Sequence, residues 1–176
     1  IAQKINMVPL YIAMGLGQGI MPLISYNYAS GNIERMKQTL LFSLKIALSS
    51  MAVISALYYF GASALTAAFM ENPVIVGYGT KFLQGLCLGI PFLCMDFLAV
   101  GVFQACGLGK NAFIFALLRK IVLEIPALIL LNKLFPLYGL AYAQLTAELI
   151  LAIAAVIVLV RLFRKLEKSR DATATT

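Results

Sequence analysis

The chain has 176 residues, of which 62% are hydrophobic and only 12% charged, where a soluble domain carries about 25% charged residues. With a mean hydropathy of +0.94, this composition excludes an ordinary soluble domain and indicates an all-α integral membrane protein. The net charge of +7 does not point to nucleic acid, because five basic residues gather between Arg161 and Arg170, directly behind an apolar segment, as at a cytoplasmic membrane border.

A helix needs about 20 apolar residues to cross the hydrocarbon core. Five stretches reach that length, at about 5–28, 39–61, 78–106, 112–131 and 137–160, followed by a basic tail over 161–176. The first ends in the stretch around which the chain is organised, GLGQGIMPLISYNYASGNIERMK. Gly15, Gly17 and Gly19 allow close approach of neighbouring backbone, and Pro22 removes a helical hydrogen bond and predicts a kink. Tyr26 and Asn27 bring polar atoms to the end of the segment, Ala29 to Asn32 make a turn, and Arg35 and Lys37 open the next helix.

The second segment holds one charge, Lys45, placed to snorkel toward a membrane surface. Glu71-Asn72-Pro73 breaks the chain before the third. In that third segment Gly85, Gly89, Pro91 and Gly101 allow bending and close packing, as a packing face or a hinge. Its three cysteines, Cys87, Cys94 and Cys106, read as small packing residues rather than a disulfide framework. Gly107 to Asn111 forms the third break and Asn132 to Pro136 the fourth. Short breaks place consecutive helices antiparallel and adjacent.

Alternate breaks, counted with the helix ends beside them, divide the basic residues ten against three. Arg35, Lys37, Lys110, Arg119, Lys120 and the five tail residues define the cytoplasmic side; Lys4, Lys81 and Lys133 define the other. Odd-numbered segments then run inward and the C-terminus is cytoplasmic. The chain opens inside a helical pattern without an initiator Met, and is expected to be the C-terminal part of a longer protein.

Asp96, Glu124 and Glu148 fall near the middle of apolar segments, where a charge costs roughly 2.5–3.5 kcal/mol on insertion scales. Three acids at similar depth imply ion pairs or a shared wet interior. Lys120 lies one helical turn before Glu124, so this pair reads either as a structural ion pair or as part of proton or substrate handling. Glu148 has no basic neighbour at helical spacing and needs a partner on another helix, or a proton. Asp96 has none either, and Val100 and Gln104 follow it one and two turns on. The chain has no histidine, no metal-ligand cluster, no Ser/His/Asp arrangement and no phosphate loop. No motif supports an enzyme, a metal site or a bound cofactor.

Gly15-x-x-x-Gly19-x-x-Pro22, followed by Tyr26-Asn27-Tyr28-Ala29-Ser30-Gly31-Asn32 and a basic helix start, resembles the eighth helix and following loop of the multidrug and toxic compound extrusion (MATE) transporters. Gly101-Val102-Phe103-Gln104-Ala105-Cys106-Gly107 resembles the end of that family's tenth helix. Arg119 followed by Pro126 is similar to its eleventh, and Gly139-Leu140-Ala141 to the start of its twelfth. The resemblance implies helices eight to twelve of a twelve-helix, two-lobe transporter, with the seventh helix and the N-terminal lobe outside this chain.

It further implies a plasma-membrane antiporter that exports amphipathic cationic substrates against H⁺ or Na⁺. Asp96, Gln104, Tyr26 and Asn27 are the cavity candidates, with Glu148 a weaker one; Gly15, Gly19, Pro22, Gly101 and Pro126 are the kink and packing positions. The partners implied are the bilayer, the substrate and the N-terminal lobe. Two other readings stay open: a flippase for a lipid-linked oligosaccharide, which a much more cationic cavity would favour, and a membrane-embedded enzyme.

Overall fold

The computed structural model describes residues 2–134 and 139–174. All the regular structure among them is helical. In chain order the elements are α1 (Ala2–Gly19), α2 (Met21–Ala29), α3 (Ile33–Ala67), α4 (Pro73–Cys87), α5 (Ile90–Ala105) and α6 (Gly109–Leu117). A π-helical segment, Leu118–Glu124, then leads into α7 (Ile125–Leu134), and α8 (Gly139–Ala174) closes the chain.

Local chemistry sets the boundaries. α1 and α2 are separated at Ile20, and Pro22 occupies the first turn of α2, where a missing N–H costs nothing. Gly31 takes a positive φ of 68°, and the Asn32 side chain accepts a hydrogen bond from the Arg35 amide at 3.2 Å, capping α3. Asn72 caps α4 in the same way through the Val74 amide at 3.0 Å. α4 and α5 are bent by 42° across Leu88-Gly89. Pro91 cannot donate to the Cys87 carbonyl four residues earlier; Ser55 Oγ of α3 donates to it instead, at 2.7 Å. At the far end of α5, Ser25 Oγ donates to the Ala105 carbonyl at 3.0 Å.

Three helical stretches are each long and apolar enough to cross a membrane: Ala2–Ala29, Ile33–Ala67 and Gly139–Ser169. The bent pair α4–α5 makes a fourth when taken as one broken span. The expected span over 112–131 is divided into helical pieces of 9, 7 and 10 residues. Pro126 stands just after the π-helical piece, where the Ile125 amide reaches back five residues to the Lys120 carbonyl. Residues 161–174, expected as a tail, continue α8 as helix. Positions 135–138, where the fourth break and the start of the fifth segment are expected, lie outside the described residues.

α5 is the centre of the bundle, with nine of its sixteen residues buried, and α1, α3 and α8 pack around it. Its contact with α1 is backbone to backbone. A Cβ on Gly17 would stand 2.7 Å from the Phe97 carbonyl oxygen, and one on Gly101 would stand 2.6 Å from that of Gly17. At Gly15 and Gly19 a Cβ would meet nothing within 4 Å among the described residues. Residues two apart point roughly 200° around a helix, so Gly17 faces α5 while Gly15 and Gly19 share the outer stripe. Cys87, Cys94 and Cys106 are buried free thiols.

Candidate functional site

Three charged side chains from distant points of the sequence meet inside the bundle. Asp96 on α5 and Glu148 on α8 are each 1% exposed. Arg119, on the π-helical segment, donates from Nη2 to Glu148 Oε1 at 2.8 Å. Asp96 lies near enough to Glu148 and Arg119 to feel the charge of both. The second Glu148 oxygen, both Asp96 oxygens and Arg119 Nε are buried without a fixed donor or acceptor. Arg119 also lies over the Phe97 ring, 5.0 Å from its centroid.

With both acids ionised the cluster carries one net negative charge, so a single bound cation, a proton included, would neutralise it. Burial makes that balance matter, because an uncompensated charge inside a bundle is costly. The bend between α4 and α5 adjoins the cluster: a Cβ on Gly89 would come 4.0 Å from Glu148 Cγ. Backbone adjustment at this bend therefore bears directly on the acid pair.

Phe97 also borders a second feature, an open cavity of about 160 Å³ between α1, α2 and α5, lined by Met14, Gln18, Met21, Val100 and Gln104 around the Gly17–Gly101 contact. Phe97 thus touches both the cavity and the Arg119 guanidinium.

The sequence candidates fall into separate places. Asp96 and Glu148 come together. Gln104 lines the cavity one helical face away from them. Tyr26 is 74% exposed, on a stripe of α1 and α2 shared with Tyr11, Gly15, Gln18 and Gly19. Asn27 is buried and donates to the Leu23 carbonyl of its own helix at 2.7 Å. Lys120 and Glu124 form an ion pair at 2.8 Å, partly exposed and apart from the buried acids.

Arg119 is the residue that sequence reasoning missed. Counted there as a marker of the cytoplasmic border, it is instead half-buried and paired with Glu148, and the basic count for that side becomes nine against three. The available signal was an arginine in an apolar run with no acid three or four residues to either side.

Long apolar helices packed around a buried charge cluster define a polytopic helical membrane protein with a polar interior. Its family follows from comparison: a family model described as MatE matches residues 1–130, and the chain belongs to that family. It is 33% identical over 158 residues to the multidrug export protein MepA of Staphylococcus saprophyticus, covering 90% of this chain and 35% of the relative. The MepA of Staphylococcus haemolyticus is 34% identical over 170 residues, covering 94% and 36%. The chain therefore spans about a third of the length of these relatives.

The fold matches an outward-facing conformation of a multidrug resistance MATE family transporter of the MOP superfamily, with a TM-score of 0.90, 19% identity, and coverage of 95% of this chain and 38% of that one. An inward-facing conformation gives a TM-score of 0.89 at 19% identity, covering 95% and 39%. The Vibrio cholerae MATE transporter VcmN in its bent form gives 0.85 at 18% identity, covering 97% and 38%.

Proposed function

We propose that this chain is part of one lobe of a secondary active exporter of amphipathic cationic compounds, and that the Asp96–Glu148 pair holds the H⁺ or Na⁺ that drives export. The relatives named for multidrug export support the transport class rather than catalysis. The observation that carries the coupling role is the buried cluster of two acids and one arginine, one positive charge short of neutrality. A membrane-embedded charge is expensive, and its retention is ordinarily tied to a solute or proton path.

In this reading the cavity beside Gln18 and Gln104 receives part of the substrate, with Met14, Met21 and Phe97 offering an adaptable apolar surface. A cationic substrate against Phe97 competes with Arg119 for the ring and, through Arg119, weakens the hold of the acid pair on its own cation. Binding of the one then opposes binding of the other, as exchange requires. The exposed stripe of α1 and α2, with Tyr11 and Tyr26, faces the partner lobe across the central cavity. Helices α6 and α7 with their π-helical joint form the fourth of five spans, and the basic ends of α3 and α8 lie in the cytoplasm. Near-equal likeness to outward- and inward-facing structures supports a lobe that moves as a unit between states. The flippase reading finds less support, because Arg119 is already engaged by Glu148.

Ethidium efflux from cells carrying the full-length protein tests the proposal. Asp96→Asn is expected to lower efflux at least tenfold at equal membrane abundance. Efflux equal to that of the unsubstituted protein would remove Asp96 from the mechanism.

A further inference from the structure

A second, larger groove lies away from the acid cluster, between α3 and α8, with α5 as its floor. It has a volume of about 360 Å³. Leu41 and Leu44 form one wall, Val156 and Val160 the other, and Met95 and Leu98 the base. Polar residues line it only at one end, where Lys37, Arg164 and Glu167 meet. Lys37 pairs with Glu167 at 3.1 Å, both partly exposed, whereas Arg164 is exposed and has no acidic partner among the described residues. Arg161, Lys165 and Lys168 are exposed within four residues of Arg164 on the same helix.

The dimensions fit one leaflet of a bilayer. Ala155 and Glu167 mark the two ends of the α8 wall, twelve residues apart, or about 18 Å of helix. Half of a hydrocarbon core roughly 30 Å thick is about 15 Å. The apolar part of that wall, Ala155 to Phe163, covers about 12 Å, most of the depth of one leaflet, and the cations beyond it stand where a headgroup would lie. Leu41, Val156 and Val160 are exposed along the rim, so the groove opens sideways, in the direction from which a lipid enters.

We infer that this groove is a binding site for an anionic phospholipid of the adjoining leaflet, with its phosphate on Arg164 and Lys37 and one acyl chain against Leu44, Met95 and Val156. Charge selects this occupant: an unpaired arginine and a weakly held lysine at the mouth favour a phosphate diester with a net negative charge over a zwitterionic headgroup. Glu167 opposes it, because the phosphate must displace its carboxylate from Lys37. The site makes no use of Asp96 or Glu148, so it stands or falls independently of the transport proposal.

Native mass spectrometry of the full-length protein, incubated in mild detergent with equal amounts of phosphatidylglycerol and phosphatidylcholine of identical chains, tests the inference. The unsubstituted protein is expected to retain phosphatidylglycerol preferentially. Arg164→Gln lowers that preference about fivefold, the equivalent of one juxtamembrane cation. Glu167→Gln, which releases Lys37, moves the preference the other way. Val156→Phe, placed at an exposed position that fills the groove, lowers retention of both lipids. Equal retention of the two lipids by the unsubstituted protein would overturn the inference, as would a preference unmoved by Arg164→Gln. Retention of neither, the result expected if another part of the polypeptide covers the groove, would overturn it as well.

Discussion

On its α1 side, α5 is held by backbone: Gly17 and Gly101 bring the two helices so close that neither position has room for a Cβ. On its α8 side it is held by charge, with Asp96 set against Glu148 and Glu148 fixed by Arg119 from the π-helical segment. The first seam has one good arrangement and loses packing if it shifts. In the proposed function the second has an exchangeable member, the proton or small cation held by the acid pair. On the proposed reading, a helix gripped sterically on one face and electrostatically on the other responds to ion binding without losing its place in the bundle.

Substitutions that act on one seam at a time separate these roles. Glu148→Ala has the largest expected effect on stability, because it removes the carboxylate that half-buried Arg119 holds at 2.8 Å; breaking a buried pair costs up to about 3–5 kcal/mol. Chemical unfolding of the full-length protein in detergent checks it. Gly101→Ala forces a methyl group against the Gly17 carbonyl and is expected to cost about 1–3 kcal/mol, while Gly15→Ala, in open space, costs nothing measurable in the same assay.

Ser55→Ala leaves the Cys87 carbonyl at the α4–α5 bend without its donor. The loss is about 0.6 kcal/mol on average for such bonds in membranes, and at most about 1.7. Lys120→Gln removes only a partly exposed ion pair and is expected to cost less stability than Glu148→Ala. A Lys120 effect as large as that of Glu148 would erase the distinction between buried and peripheral charges.

Much of this arrangement is legible in the sequence, for reasons that differ by residue. Pro22, Pro91 and Pro126 mark breaks because a missing N–H acts locally. Glu148 announces that it needs a partner because burial of a lone carboxylate is costly anywhere. The identity of that partner is not local. Arg119 reaches Glu148 from another helix, on a π-helical segment whose register differs from the 3.6-residue spacing used to search for pairs. The choice of Gly17 over Gly15 and Gly19 is likewise invisible until α5 is in place. Tyr26 and Asn27 are adjacent in sequence, yet point to different surroundings, one outward and one back onto its own helix.

The coupling claim is tested most directly in vesicles containing the full-length protein, by imposing a gradient of ethidium and following counterflow of H⁺ and, separately, of Na⁺. One of the two ions should move against the substrate with the unsubstituted protein, and that counterflow should vanish with Asp96→Asn while ethidium binding persists. Undiminished counterflow in the Asp96→Asn protein would contradict an ion-holding role for the buried acid pair.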